Sequence, residues 1–304
     1  MSGTIRIGIS GWRYPPWRKV FYPDGLTQKR ELEFASRALP TIEINGSFYG
    51  LQRPTSYQHW YEQTPPGFVF SVKAHRYVTH ILRLQHVESA IANFFASGLF
   101  HLKEKLGPIL WQFPPSFRFN PELFENFLKL LPHDTKAAAD FARRHHTSAA
   151  DRVYLKADRE RPLRHAVEIR HESFVDQAFV DLLRKYKAAL VIADTAGKWP
   201  YREDVTADFV YLRLHGAEEL YASGYTDSAL ERWADRISAW SRGGQPKDAH
   251  LIVERKPSAR KSRDVYCYFD NDIKVRAPFD ARKLIDSLGL DAGLAPLEPP
   301  AGWL

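Results

Sequence analysis

The chain has 304 residues, 44% hydrophobic and 13% aromatic, which excludes a disordered polar segment and allows a sizeable core. Its formal net charge of +7 and pI of about 9.3 favour anionic partners: phosphorylated metabolites, nucleic acid or acidic surfaces. A single cysteine, Cys267, excludes an internal disulfide, and no run approaches the ~18 apolar residues of a membrane span.

The first residues pass directly into a strand pattern without the apolar region of a signal peptide, so a cytoplasmic protein is expected. Strand patterns follow at residues 5–10, 41–45, 68–74, 108–113, 165–170, 188–194, 209–214 and 265–270. Helix patterns lie at 29–38, 56–63, 87–105, 121–131, 175–187, 227–241 and 278–287. In the 175–187 segment Ala178, Phe179, Leu182, Leu183 and Tyr186 form one apolar stripe at helical spacing. Eight strands alternating with helices predict one (β/α)8 TIM barrel over residues 1–304, with right-handed crossovers. Two segments exceed the alternation: insertions at about 132–164, before the fifth strand, and 243–263, before the eighth. The first carries an extra helix. The second holds Arg255, Lys256, Arg260, Lys261 and Arg263, a basic loop expected at the N-terminal face. The tail after Leu288 is expected to wrap the surface without regular structure.

Many strand patterns end in charge. A charged side chain on a buried strand is costly unless paired or used, so charges at many strand ends point to one polar site at the barrel mouth. Side chains two apart on a strand share a face, which sets Glu43 with Asn45, Ser71 with Lys73, Glu168 with Arg170, and Arg213 with His215. Glu43 and Glu168 are candidate acid, base or electrostatic groups, since burial and neighbouring cations move carboxyl groups in opposite directions. His215 is the proton-transfer candidate by intrinsic pKa, and Asp194 could orient a base or bind a hydroxyl. Lys73, Arg170 and Arg213 suit an anion, and Gln112 and His80 lie where a substrate would meet them. Trp12 and Tyr49 offer flat faces for a sugar ring or nucleobase.

Read together, several motifs resemble the YecE-like family, known as domain of unknown function 72. They include Gly8-Ile-Ser10-Gly11-Trp12, Glu43-Ile-Asn45-Gly-Ser47-Phe48-Tyr49, Phe70-Ser-Val-Lys73-Ala74 and Gln112-Phe113-Pro114-Pro115. Downstream come Glu168-Ile-Arg170-His171, Tyr211-Leu-Arg213-Leu-His215-Gly216 and Tyr268-Phe269-Asp270-Asn271-Asp272. The resemblance covers nearly the whole chain in order and implies a TIM barrel. It adds Asn271 to the substrate-binding candidates and leaves the reaction unspecified. Asp270 stands where the family pattern is expected to have Asn, and Gly46 where a larger residue is usual.

The expected function is a cofactor-independent, hydrolase-like enzyme acting on an anionic sugar- or nucleotide-like compound. One alternative is a nucleic-acid-binding module using the basic insertions; another is a Schiff-base lyase built on Lys73. No phosphate-loop, dinucleotide or HExxH fingerprint is present, so no cofactor is expected. A divalent metal on Glu43, Glu168, Asp194 and His215 is opposed by the three cations at the same strand ends. The sequence sets no oligomeric state.

Overall fold

The computed structural model describes residues 2–216, 220, 221, 223–254 and 259–297. The strands are β1 (Ile5–Ser10), β2 (Thr41–Ile44), β3 (Val69–Lys73), β4 (Leu106–Gln112), β5 (His165–Glu168), β6 (Ala189–Asp194), β7 (Phe209–Leu214) and β8 (Asp264–Phe269). They close into a barrel in chain order, and every recorded pairing is parallel. The helices between them are α1 (Glu31–Ala38), α2 (Gly46–Tyr49), α3 (Pro54–Gln63), α4 (Glu88–Ala96), α5 (Pro121–Leu130), α6 (Thr135–Ala142), α7 (Gln177–Lys185), α8 (Asp227–Ser241) and α9 (Arg276–Ser287). This is the expected (β/α)8 barrel. By internal contacts the chain divides into two compact units, Met1–Glu43 with Leu190–Leu304, and Ile44–Ala189.

Register decides which side chains face inward. In the first unit Ser10 pairs with Glu43 while Ile9 pairs with Ile42, and Arg213 pairs with Tyr268 while Leu212 pairs with Cys267. Polar and apolar sets therefore alternate between the two faces of the same strands. In the second unit Gln112 pairs with Glu168 and Trp111 with Val167. Trp111 packs on Phe94 of α4 and Phe127 of α5, which places Gln112 and Glu168 on the opposite, inward face.

The structure differs from the expected elements in identifiable places. The 87–105 pattern is not one helix: α4 stops at Ala96, and Gly98 turns the chain with φ 117°. A Cβ at Gly98 would lie 2.5 Å from Pro54 Cα, so the break is a close approach to α3. In α7 the N-cap is Asp176, whose Oδ1 accepts from Ala178 N at 2.7 Å. The buried stripe is consequently Phe179, Val180 and Leu183, and Ala178 is exposed. Strand β2 ends at Ile44, so Asn45 precedes α2 as its N-cap and does not share strand parity with Glu43.

The extra helix expected between the fourth and fifth strands is α6, capped by Asp134 through Ala137 N at 2.7 Å. In the basic insertion Arg255 and Lys256 lie outside the described residues. Arg260 and Lys261 are exposed, but Arg263 is buried and donates from Nη1 to Gly244 O at 3.2 Å. It fastens the chain ahead of β8 and is no part of a solvated basic loop. Residues 289–297 form no helix or strand; Ala295 N donates to Arg37 O and Arg282 Nη1 donates to Ala295 O, both at 2.8 Å. No helix among the described residues is long and apolar enough to cross a membrane.

Gly8 sets the separation of β1 and β2 beside the inward polar layer. A Cβ there would lie 1.8 Å from Thr41 O, so Gly8→Ala is expected to destabilise the fold by roughly 1–3 kcal/mol or more. A urea denaturation midpoint equal to that of the unaltered protein would contradict this packing.

Candidate functional site

In the first unit, the inward layer at the ends of β1, β2 and β7 forms a continuous polar network. Glu43 is wholly buried. Its Oε1 accepts from Ser10 Oγ and from Arg213 Nη2 at 3.0 Å; its Oε2 accepts from Tyr211 OH at 2.5 Å. Arg213 Nη2 also donates to Ser10 Oγ at 3.1 Å and to Asp270 Oδ2 at 2.7 Å. Arg213 is as buried as Glu43, so its charge depends on these two carboxylates. His215, also buried, has Nδ1 3.0 Å from Asp270 Oδ2 and Nε2 3.4 Å from Arg213 Nη1. A guanidinium can only donate, so Nε2 is the accepting nitrogen, while Nδ1 lies at ion-pair distance from Asp270 Oδ2 and is not in hydrogen-bonding geometry with it. One layer below, Thr41 Oγ1 and Tyr268 OH lie 2.8 Å apart, and Tyr268 packs on Tyr211 with ring centroids 5.2 Å apart.

Beyond β8 the chain carries Asp272, whose carboxyl is pushed up to about 7, first by burial and then by the charge of Asp270. The loop after β1 supports it: Trp17 Nε1 donates to Asp272 O at 3.1 Å, and the Tyr14 hydroxyl, which donates to Ser10 O at 2.6 Å, also meets the Asp272 side chain. Asp280 is pushed up to about 6 by burial, with the Asn271 amide opposing. Asn271 Nδ2 donates to Asp280 Oδ2 at 2.8 Å and to Ser223 O at 3.0 Å, which ties the β8 loop to α9.

In the second unit the ends of β3, β4 and β5 carry Lys73, Gln112 and Glu168. Arg170 Nε donates to Glu168 Oε1 at 2.8 Å. Lys73 Nζ lies 4.2 Å from the Phe48 ring centroid, and His80 meets the same ring edge-to-face at 5.0 Å. His80 is lowered to about 4 by burial first, then by the charges of Lys73, Arg170 and Arg76, with Glu168 opposing. It is therefore neutral at physiological pH.

The structure thus joins Glu43, Arg213 and His215 in one network, and Lys73, His80, Glu168 and Arg170 in another group. Asp194 pairs in register with Leu214 and accepts from Tyr225 OH at 3.0 Å; burial raises its carboxyl, with the Tyr225 hydroxyl and the charge of His215 among the opposing influences. Tyr225 OH in turn accepts from Gly216 N at 3.1 Å, so Asp194 fastens the start of the loop after β7. Trp12 is buried, and its carbonyl accepts from Tyr22 OH. Tyr49 is 68% exposed. Asn45 Oδ1 and Gln112 Oε1 are buried with no hydrogen-bond partner among the described residues. Ser10, Tyr211, Asp270 and Asp272 were absent from the sequence-based candidates. Tyr211 and Ser10 were legible by parity, lying two residues before Arg213 and at the end of the first strand. The same rule applied past the strand would have set Asp270 and Asp272 two apart. No group of three or more His, Cys, Asp or Glu side chains among the described residues is arranged to hold a metal ion.

A family model described as "Protein of unknown function DUF72" matches residues 6–302. The UPF0759 protein YecE of Escherichia coli O157:H7 is 24% identical over 247 residues, covering 80% of this chain and 84% of that protein. The UPF0759 protein YunF of Bacillus subtilis is 31% identical over 118 residues, covering 37% of this chain and 41% of its own. A DUF72 family protein from Thermotoga maritima superposes with a TM-score of 0.71 at 23% identity, covering 94% of this chain and 99% of that one. One from Enterococcus faecalis gives 0.67 at 16% identity, with 97% and 98% covered. These structures share the fold.

Asp272 sets a pH dependence of stability. Its folded value of about 7 lies above the ~3.9 of an unfolded Asp, so between those limits the folded chain holds a proton the unfolded chain has lost. The contribution of Asp272 is fullest below pH ~4, falls as pH rises to about 7 and then levels. Asp272→Asn is expected to flatten that slope, leaving the smaller fall to about pH 6 from Asp280. Denaturant titrations from pH 4 to 8 that show the same slope in both proteins would contradict the assignment.

Proposed function

The chain belongs to the DUF72 family, and we propose that it is a cofactor-independent enzyme with hydrolase-like acid/base chemistry on an anionic sugar- or nucleotide-like substrate. The observation that carries this reading is the carboxylate oxygen of Asp270, which accepts from Arg213 at 2.7 Å and lies 3.0 Å from His215 Nδ1. A carboxylate fixed by an arginine and set beside an imidazole is an arrangement suited to proton transfer. Asp272, close to half-protonated at neutral pH, is a second proton donor in the same unit. The pair Asp270 and Asp272 divides the roles that acid/base catalysis needs, one bound by Arg213 and one titrating near neutral pH.

In this reading Glu43 is a positioning residue. Its oxygens are occupied by Ser10, Tyr211 and Arg213, so it holds the guanidinium rather than meeting a ligand. Glu168 moderates the positive charge of Lys73 and Arg170. Phe48 favours a cation at Lys73 Nζ, which supports an anion contact there over a Schiff base. The chain's net charge of +7 supports an anionic substrate.

The test is a screen of phosphorylated sugars and nucleotides followed by mass spectrometry. On a compound that turns over, Asp270→Asn and His215→Gln are each expected to lower kcat about 10²–10⁴-fold while circular dichroism is unchanged. Full turnover by Asp270→Asn would sink the assignment. A loss on Glu43→Gln confined to stability would agree with its positioning role.

A further inference from the structure

Among the described residues of Ile44–Ala189, the ends of β3, β4 and β5 gather more positive than negative charge around one unsatisfied acceptor. Lys73 pairs in register with Leu110, and Gln112 with Glu168. Leu110 and Gln112 are two apart on β4, so Lys73, Gln112 and Glu168 project from the same face of these three strands. Arg170 reaches back to Glu168, and His80 and Lys73 meet on the Phe48 ring. The charges that bear on His80 are those of Lys73, Arg170 and Arg76 against Glu168 alone. His80 adds no charge of its own at neutral pH, since burial and these cations push it to about 4. It is also engaged at Nδ1, 2.8 Å from Thr79 Oγ1.

Gln112 supplies the second observation. Its residue is 5% exposed, and its Oε1 is buried with no hydrogen-bond partner among the described residues. A buried acceptor left empty is costly, and this one stands on the face that carries the cations. An anion such as sulfate would be attracted by the cations, but it has no hydrogen to give Gln112. A phosphate that keeps a proton, or a phosphate ester with a hydroxyl beside it, satisfies both.

We propose that Lys73, Arg170 and Gln112 form a binding site for a hydroxyl-bearing phosphate, its charge held by the two cations and its O–H donated to Gln112 Oε1. This names the chemical class of the anion bound in this unit; it rests on the enzymatic reading for its use and on its own residues for binding. Lys73 offers a compact ammonium and Arg170 a planar donor, the pair of donor types that phosphate oxygens accept.

Calorimetric titration of the full chain at pH 8 with inorganic phosphate and with sulfate tests the site. At that pH both ions are doubly charged, and only monohydrogen phosphate carries an O–H. The unaltered protein is expected to bind phosphate saturably and at least about tenfold more tightly than sulfate. Gln112→Leu should bring phosphate down to the level of sulfate, and Lys73→Met should weaken both. Gln112→Glu, which keeps the shape and adds a negative charge, should weaken both as well, and circular dichroism controls for folding. Equal affinity for the two ions, no saturable phosphate binding, or discrimination that survives Gln112→Leu would each overturn the proposal. Glycerol 3-phosphate, titrated in parallel, separates the sources: tighter binding than phosphate supports a phosphate ester as the occupant, and weaker binding supports free phosphate. Asp270→Asn should retain the phosphate preference. Phosphate discrimination without turnover of any phosphorylated compound therefore counts against the enzymatic reading alone, and turnover without discrimination counts against this site alone.

Discussion

The first unit is organised around a guanidinium removed from water. Arg213 is fully buried, and the desolvation of its charge is compensated only because Glu43 and Asp270 each present an oxygen within 3.0 Å. That requirement couples the ends of three strands. Glu43 must hold its position on β2, so Ser10 and Tyr211 occupy its remaining hydrogen-bonding capacity. Asp270 must hold its position past β8, and the same oxygen then lies 3.0 Å from one nitrogen of His215. Loss of any member leaves a buried charge or acceptor uncompensated, so the network is rigid as a consequence of its burial. Rigidity of that kind places reacting groups without reorganisation.

The second unit meets the same difficulty with a different balance. Lys73 is nearly buried and shares its surroundings with an aromatic face and a neutral histidine. Glu168 is buried and bound to Arg170. Cations outnumber carboxylates among the groups that act on His80. Where the first unit joins its charges into one network of both signs, the second keeps a surplus of one sign beside the Gln112 acceptor. A surplus held at the end of a strand favours an external counter-charge.

The barrel was legible because alternation and the family resemblance agree, and because β1, β7 and α8 have the bounds their apolar patterns give. Strand parity also predicted that Arg213 and His215 share a face, and their contact follows from it. It failed at Asn45, since β2 ends one residue earlier and a short helix begins. It made no statement about Asp194, which register places with Leu214, and register between neighbouring strands is not written in either strand alone. The importance of Asp270 was obscured because it depends on Arg213, 57 residues away in the chain. The Gly98 break in the 87–105 pattern is likewise long-range, set by Pro54 on another helix.

The aromatic loop after β1 changes meaning in this setting. A run of Trp12, Tyr14 and Trp17 reads as a platform for a flat ligand, yet Trp12 and Trp17 are buried and the hydrogen bonds of the loop point into the protein. Gly11 has φ 75°, and a Cβ there would lie 2.7 Å from the Tyr14 hydroxyl, so the glycine lets Tyr14 fold over the end of β1. From there Tyr14 reaches Ser10 O and the Asp272 side chain, while Trp17 grips the Asp272 carbonyl. The rings thereby exclude water from a carboxyl that sits two residues beyond the charged Asp270. Burial is the larger cause of the raised Asp272 value and the neighbouring charge the second, so the aromatic loop acts on the chemistry by tuning an acid rather than by stacking on a substrate.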